Sequence, residues 1–249
     1  GAINVICPKC GHQRTPADQH LPDGICPACG IAYAKFIAAR DALETASAAT
    51  RLQSEEVLSR TESLLQILFH TPERVDAITL GARALTLLAF GVWTFRFMAT
   101  GGDWTAISQS FLHSVNLPFH EFGHLLFSPL GRFMTILGGS LFQVLVPLIV
   151  LIAFLRRPDP FAAAIMLWWA GQNFVDLSPY ISDGEYRGLP LIMGLGEDSH
   201  DWGNLLTMMG MVDQAYRLGR LSFYLGIGLM MLALGWGGWL LWLQKQRLT

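Results

Sequence analysis

Two histidines and one glutamate in the middle of the chain carry the strongest chemical signal of the sequence. Residues 116–124 read Asn-Leu-Pro-Phe-His-Glu-Phe-Gly-His and contain an H-E-x-x-H motif. Residues four positions apart lie on one face of a helix, so His120 and His124 can bind the same metal ion. Glu121 then lies beside the open position of the metal, where its carboxylate can accept a proton from water. The motif therefore predicts a catalytic zinc with His120 and His124 as ligands and Glu121 as general base.

The residues around the motif are apolar, which favours a membrane setting. An acidic or basic residue at the centre of a membrane-spanning helix costs about 2.5–3.5 kcal/mol on insertion scales, so neighbouring ionisable residues there indicate a function. The alternative is a chance match on the polar surface of a soluble helix. The flanking apolar residues argue against it, and they are Phe111, Leu112, Val115, Leu117, Phe119, Phe122, Leu125, Leu126 and Phe127.

The composition also indicates a membrane protein. Hydrophobic residues make up 52% of the chain and charged residues 14%, well below the roughly 25% usual in soluble domains. The mean hydropathy is +0.38. The formal net charge is -2, and the sequence has no patch of Lys and Arg among aromatic residues. We therefore do not expect nucleic acid as a partner. The first long apolar run begins only near residue 78, so we expect no cleavable signal peptide.

Four cysteines near the N-terminus predict a second metal site. They form two C-x-x-C pairs, Cys7 with Cys10 and Cys26 with Cys29, separated by fifteen residues. This spacing is typical of a structural zinc ribbon with four thiolate ligands. The alternative, two disulfides, requires an oxidising compartment, which a chain without a signal peptide does not reach. We therefore predict a cytoplasmic zinc ribbon over residues 1–30 that needs its zinc to fold.

The rest of the chain predicts an all-α polytopic membrane protein. Residues 31–76 are expected to form a juxtamembrane helix and linker, and a weak seven-residue repeat there allows either a solvated spacer or a homo-oligomer contact through residues 31–70. Residues 77–249 are the predicted transmembrane metalloprotease-like domain. We expect about five transmembrane helices in it, over residues 78–99, 107–130, 133–155, 161–180 and 221–243.

With a cytoplasmic N-terminus, five crossings bring the polar ends of the second and fourth spans to the cytoplasmic side. Lys and Arg residues follow this orientation only in part. Those that fall on the opposite side are Arg156, Arg157, Lys245 and Arg247.

Two histidines leave a catalytic zinc site one protein ligand short. The candidates for the third ligand are Asp176, Asp183 and His200. His200 belongs to a segment dense in possible ligands, Gly-Glu-Asp-Ser-His-Asp-Trp over residues 196–202. For His200 and Asp201 the alternative is a cap on the helix that follows.

In the motif and in one downstream segment, the sequence resembles the site-2 protease family of intramembrane zinc metalloproteases. That family joins its H-E-x-x-H helix to an aspartate two spans later, in a pattern close to N-x-x-P-x-x-x-x-D-G. Residues 176–184 here read Asp-Leu-Ser-Pro-Tyr-Ile-Ser-Asp-Gly, with Asp176 in place of asparagine and one residue fewer between Pro179 and Asp183. The resemblance covers residues 107–184. It implies that Asp183 is the third ligand, with Asp176 and His200 as alternatives that otherwise orient the ligands.

The resemblance implies cleavage of a peptide bond in or next to a substrate transmembrane helix. Glu121 would activate water at the zinc and later protonate the leaving amine, and Asn173, or Gln172 beside it, would bind the substrate backbone. The expected cofactors are one catalytic and one structural zinc, and the expected partners are a membrane-protein substrate and the lipid bilayer.

Two other functions are compatible with the same residues. One is a catalytically silent zinc-containing membrane receptor or adaptor, in which His120, His124, Asp183 and His200 form a closed metal site. The other is a metallohydrolase that acts on a lipid or a small molecule.

Overall fold

The computed structural model describes residues 6–190 and 199–248, and the regular elements in these ranges are helices. They are α1 (Tyr33–Leu68), α2 (Ala77–Thr100), α3 (Trp104–Ser108), α4 (Phe111–Phe127), α5 (Arg132–Arg156), α6 (Pro160–Ser182), α7 (Asp201–Met209) and α8 (Ala215–Lys245), with short 3-10 turns at Pro16–His20, Ser128–Leu130 and Val212–Gln214. The chain forms two compact units, Gly1–Leu64 and Leu65–Thr249. Their boundary lies inside α1, so the predicted boundaries at residues 30 and 76 stay predictions.

The first unit begins with two turns of the same construction. The N–H of Gly11 donates to the carbonyl of Cys7 at 3.0 Å, and the N–H of Gly30 donates to that of Cys26 at 2.9 Å. Both glycines have a positive φ near 70°, which residues with a side chain rarely adopt. Within the described residues, the β-structure at each turn is one isolated bridge, Ile6 with Gln13 and Ile25 with Ala32, so the strands of a zinc ribbon are not confirmed. The predicted long helix is confirmed as α1.

Short polar residues set where the helices of the second unit begin. The carboxylate of Asp76 accepts the N–H of Thr79 at the start of α2, and the hydroxyl of Ser110 accepts the N–H of Leu112 at the start of α4. Such side chains satisfy backbone donors that a helix leaves unpaired at its N-terminus. The cap at Ser110 also separates α3 from α4, so residues 107–130, predicted as one span, do not form one continuous helix.

Three helices in the described part of the chain are long and apolar enough to cross a membrane. They are α2, α5 and the stretch Val212–Lys245 that contains α8. The five predicted spans are not confirmed. The helix α4 has only 17 residues, and the polar residues Gln172, Asn173 and Asp176 lower the hydropathy of α6.

Glycines bring the helices of this unit close together. A Cβ built on Gly123 of α4 would lie 2.2 Å from the carbonyl oxygen of Gly138 in α5. A Cβ on Gly171 of α6 would lie 2.7 Å from the carbonyl oxygen of Gly226 in α8. A side chain at either position would collide with the facing backbone. Because both residues are glycines, α4 packs directly on α5, and α6 packs directly on α8. The first of these contacts holds the H-E-x-x-H helix against α5.

Candidate metal centre

One face of α4 carries the residues of the H-E-x-x-H motif into a cavity. His120, Glu121 and His124 all line it, and so does His113 two turns earlier. The side-chain ligand atoms of His120, Glu121 and His124 lie within 4.8 Å of one another. His120 is buried, whereas Glu121 is exposed to the cavity mouth. The structure thus brings together the three residues that the motif selects.

Hydrogen bonds at the Nδ1 atoms orient both imidazole rings. Nδ1 of His120 lies 3.0 Å from Oε1 of Gln143, and Nδ1 of His124 lies 2.8 Å from the carbonyl oxygen of Thr135. Both partners are acceptors, so each Nδ1 carries the proton and each Nε2 keeps its lone pair. Metal-binding histidines are commonly held in this way.

Asp201 is the acidic residue that approaches the two histidines. Its Oδ2 atom lies 3.1 Å from Nε2 of His120 and 3.3 Å from Nε2 of His124. Zinc binds nitrogen and carboxylate oxygen at about 2.0–2.1 Å, and in a tetrahedron this places neighbouring ligand atoms about 3.3 Å apart. The two imidazoles and the carboxylate therefore fit a zinc ion as a set of three ligands.

Two contacts of α7 hold Asp201 at this place. Its backbone N–H donates to the hydroxyl oxygen of Tyr180 at 2.8 Å, which connects it to the end of α6. The indole N–H of Trp202 donates to the hydroxyl of Ser140 in α5 at 3.0 Å. The carboxylate is thus fixed between two helices that also line the cavity.

The carboxylate of Asp201 is ionised at neutral pH. Burial opposes ionisation, but the neighbouring imidazoles of His120 and His124 outweigh burial and lower the pKa of Asp201 to about 2. A carboxylate must be deprotonated to act as a metal ligand, so this is the form that would bind a metal ion.

The predicted third ligand, Asp183, lies elsewhere. Its carboxylate accepts the N–H groups of Gly188 at 3.1 Å and Leu189 at 2.9 Å, and Oδ2 lies 3.2 Å from Nε2 of His200. These bonds close the turn that follows α6 and occupy both oxygens. Asp183 is therefore a correction to the ligand set that the resemblance implies: its carboxylate holds the turn of residues 183–189 and is not grouped with the histidine pair.

The alternative ligand His200 uses both of its ring nitrogens within the fold. Nδ1 accepts the N–H of Gly203 at 3.0 Å, which makes His200 the N-cap of α7, and Nε2 donates to Asp183. Burial lowers the pKa of His200, so the ring is neutral and has no lone pair left for a metal. The cap predicted as the alternative role of His200 is confirmed.

The other alternative, Asp176, stands behind the ligands instead of among them. Its Oδ2 accepts the amide of Gln143 at 2.9 Å and that of Asn116 at 3.1 Å, and its Oδ1 lies 3.0 Å from Nδ1 of His113. Because Gln143 in turn accepts from His120, Asp176 sets the orientation of the amide that orients a ligand. Asp176 thus has the supporting role that was predicted for candidates that do not bind metal.

Asn173, the predicted substrate-binding residue, does not line the cavity. Its side chain is fully buried, and its amide donates to the carbonyl of Trp169 one turn earlier in α6. The side chain of Gln172 is also fully buried and accepts from Asn116 at 2.8 Å. The structure therefore does not bring Asn173 or Gln172 to the cavity, and substrate contact through either residue stays a prediction.

Gly139 leaves space for the two ligand atoms. A Cβ at this position of α5 would lie 2.6 Å from Nε2 of His124 and 2.7 Å from Nε2 of His120. Both distances are far below van der Waals contact. Only glycine lets α5 pass directly over the two nitrogen lone pairs.

The cavity in front of the ligands has a volume of about 880 Å³ and is lined mainly by apolar groups. Its polar lining includes the histidine pair, Glu121, Asp201 and Arg132. A volume of this size is typical of ligand-binding clefts and suits several residues of an extended peptide.

The four cysteines form a second candidate metal site in the first unit. Sγ of Cys7 lies 3.7 Å from Sγ of Cys29, and Sγ of Cys10 lies 3.7 Å from Sγ of Cys26. These distances are too long for a disulfide, whose sulfurs are about 2.05 Å apart. Four thiolates at about 2.3 Å from a tetrahedral zinc lie about 3.8 Å from each other. The cysteines therefore fit zinc as a closed set of four ligands.

Comparison with known proteins gives no match: no family model, no curated protein and no solved structure matches this chain.

Sequence reasoning missed three residues of the centre, namely Asp201, Gln143 and Gly139. Asp201 carries a signal in the sequence, because it belongs to the segment dense in possible ligands. The other two lie in an apolar helix without a motif, and only the packing of α5 on α4 reveals them.

Proposed function

We propose that this chain is an intramembrane zinc metalloprotease, as the resemblance to the site-2 protease family implies. The observation that carries the proposal is the convergence of His120, His124 and Asp201 beside Glu121. Three protein ligands and an adjacent free carboxylate are typical of catalytic zinc sites, where the fourth position is left to water or substrate. The three apolar helices of the chain support a membrane location.

Bound by these residues, zinc would polarise a peptide carbonyl and lower the pKa of its bound water. Glu121 accepts the proton of the attacking water and donates it to the leaving amine. Gln143 and Thr135 keep the imidazoles oriented throughout, and the apolar cavity excludes bulk water.

The substrate that we propose is a membrane protein with a scissile bond in or next to a transmembrane helix. An extended peptide fits the cavity by size and by its apolar lining. The cysteine site is proposed as a structural zinc in a cytoplasmic module. Self-association through residues 31–70 stays a proposal, supported by the exposed apolar residues Leu43, Val57 and Leu64 on α1.

The silent receptor or adaptor has less support. Its closed site requires Asp183 and His200 as ligands together with the histidine pair. These two residues hydrogen-bond to each other and to backbone groups instead, 3.2 Å apart.

The test is Glu121→Gln in the full chain, reconstituted in lipid with a membrane-tethered peptide substrate. We expect unchanged helix content and metal content, and a loss of cleavage of about 10²- to 10⁴-fold. Glu185→Gln, an exposed glutamate outside the cavity lining, is the matched control and should cleave as the wild type does. Equal cleavage by Glu121→Gln and wild type would overturn the proposal.

A further inference from the structure

The two ends of the second unit meet at one face. The N–H of Val75, just before α2, donates to the carbonyl of Arg247, just after α8, at 3.2 Å. Nearby, the guanidinium of Arg83 donates to Gln244 at 2.9 Å. A chain that enters and leaves on the same side of a bilayer crosses it an even number of times. The three apolar helices make an odd number, so the chain crosses either once more or once less than these helices indicate.

The helix α6 is able to supply one further crossing. Its 23 residues extend about 34 Å, which exceeds the roughly 30 Å of a hydrocarbon core. It starts beside the chain ends, where Asp159 lies 3.6 Å from Arg83. It ends beside the start of α8, where a Cβ on Gly219 would lie 2.0 Å from the hydroxyl of Ser182.

Polar residues do not prevent α6 from crossing. The side chains of Gln172, Asn173 and Asp176 are buried against neighbouring helices and not presented to lipid. Polar groups are tolerated at membrane depth where they face the interior of a helix bundle.

The helix α4, by contrast, begins and ends near one face. Before it, the turn after α2 lies against the end of α6, where a Cβ on Gly102 would be 3.9 Å from the hydroxyl of Ser178. After it, α5 starts at Arg132, and His124 contacts Thr135 in the first turn of α5. At 17 residues α4 extends only about 25 Å. It therefore enters the bundle without crossing it.

We propose that α2, α5, α6 and α8 cross the membrane and that the metal centre opens at the face opposite to the chain ends. The chain-end face is defined by Val75, Asp159 and Arg247. The α7 face is defined by Gly101, Ser182 and Gly219, and Arg220 at the start of α8 donates to the carbonyl of Gly101 there at 2.9 Å. Asp201 and the Tyr180 hydroxyl that holds it belong to the α7 face.

The cysteine site assigns the chain-end face to the cytoplasm. Its four thiols lie too far apart for disulfides, which suits a cytoplasmic location, and no described helix between them and α2 is apolar enough to cross a membrane. Lys and Arg residues near helix ends also favour the cytoplasmic side. The chain-end face carries Arg74, Arg83, Arg156, Arg157, Lys245 and Arg247, and the α7 face carries Arg96, Arg132, Arg187, Arg217 and Arg220. The basic residues differ by one between the two faces, so the orientation rests on the cysteine site.

This topology deepens the proposed function, on which it rests, by selecting the substrate. The scissile bond must lie in the half of the membrane away from the cytoplasm, or just outside it. The substrates are then membrane proteins whose non-cytoplasmic helix end unwinds into the cavity.

The experiment measures which residues share a side of the membrane. Three full-length variants, Glu73→Cys, Met211→Cys and Gln246→Cys, are placed in sealed vesicles of known orientation and treated with a membrane-impermeant maleimide. Labelled peptides are identified by mass, so that the native cysteines do not interfere. We expect Glu73→Cys and Gln246→Cys to react only from the cytoplasmic side and Met211→Cys only from the opposite side.

Three results would overturn the proposal. If positions 73 and 246 react from opposite sides, the number of crossings is odd. If position 73 reacts from the same side as position 211, an even number of crossings separates them and the centre does not open opposite to the chain ends. If positions 73 and 246 react together from the non-cytoplasmic side, the orientation is reversed and the centre faces the cytoplasm. Labelling needs no cleavage, so the experiment tests the membrane topology independently of the protease function. With an active preparation, the cut site of a transmembrane peptide, mapped by mass, should lie on the side of position 211.

Discussion

His120 and Asp201 are separated by 81 positions in the sequence, yet Nε2 of the histidine lies 3.1 Å from Oδ2 of the aspartate. This contact joins the H-E-x-x-H helix to α7, which the hydroxyl of Tyr180 connects to the end of α6. It makes the metal centre a product of the folded helix bundle and not of one motif, so the residues that fix this contact should control metal binding.

Gly139→Ala should abolish metal binding at the centre. The new methyl group would lie within about 2.7 Å of both histidine Nε2 atoms, and the rings would have to move away from each other and from Asp201. We expect metal content to fall by about one ion per chain, with helix content unchanged. Gly228→Ala in α8, where a Cβ meets nothing within 4 Å, is the matched control and should retain the metal. Metal retained in Gly139→Ala would contradict the geometry.

Gln143→Leu should weaken metal binding at the centre by about 10- to 100-fold, because His120 loses the acceptor that fixes its tautomer and its ring orientation. The measurement is competition with a metal chelator of known affinity. Gln172→Leu removes a buried amide of the same helix bundle that contacts no ligand, and its affinity should match the wild type. An equal loss in both variants would mean that the effect is general destabilisation.

Replacing both Cys7 and Cys10 by Ser should remove only the metal of the first unit. Its small fold depends on four thiolates, so the residues before about position 30 should unfold. The second unit is held by helix packing, so it should keep its own metal and its cleavage of a generic transmembrane peptide. Metal analysis and limited proteolysis of the N-terminal segment measure the two effects. Loss of both metals would show that the units depend on each other.

The sequence predicts the elements of this chain well and its long-range contacts only in part. The apolar runs give the helices α2, α5 and α8 closely, and the H-E-x-x-H spacing gives the histidine pair because both residues belong to one helix. One error, the single span predicted over residues 107–130, has a local cause. The hydroxyl of Ser110 caps a new helix inside this apolar run.

The third ligand could not be read from the motif for a physical reason. The carboxylate of Asp183 accepts the N–H groups of Gly188 and Leu189 and contacts the ring of His200, at distances of 2.9–3.2 Å. These hydrogen bonds hold Asp183 away from the metal centre. Asp201 follows the capping residue His200 directly, so the first turn of α7 carries its carboxylate toward the histidine pair. Which of the two acidic residues binds depends on how α7 packs, and no local pattern contains that information.

The most direct test of the account compares Asp201→Ala with Asp183→Ala by metal analysis of the purified full chain. The wild type should contain about two zinc ions per chain, one at the cysteines and one at the centre. We predict that Asp201→Ala contains about one, held by the cysteines, because His120 and His124 alone bind zinc too weakly to retain it. Asp183→Ala should keep about two, although its turn after α6 is loosened. The opposite result, with metal lost in Asp183→Ala and kept in Asp201→Ala, would contradict the assignment of Asp201 as the third ligand.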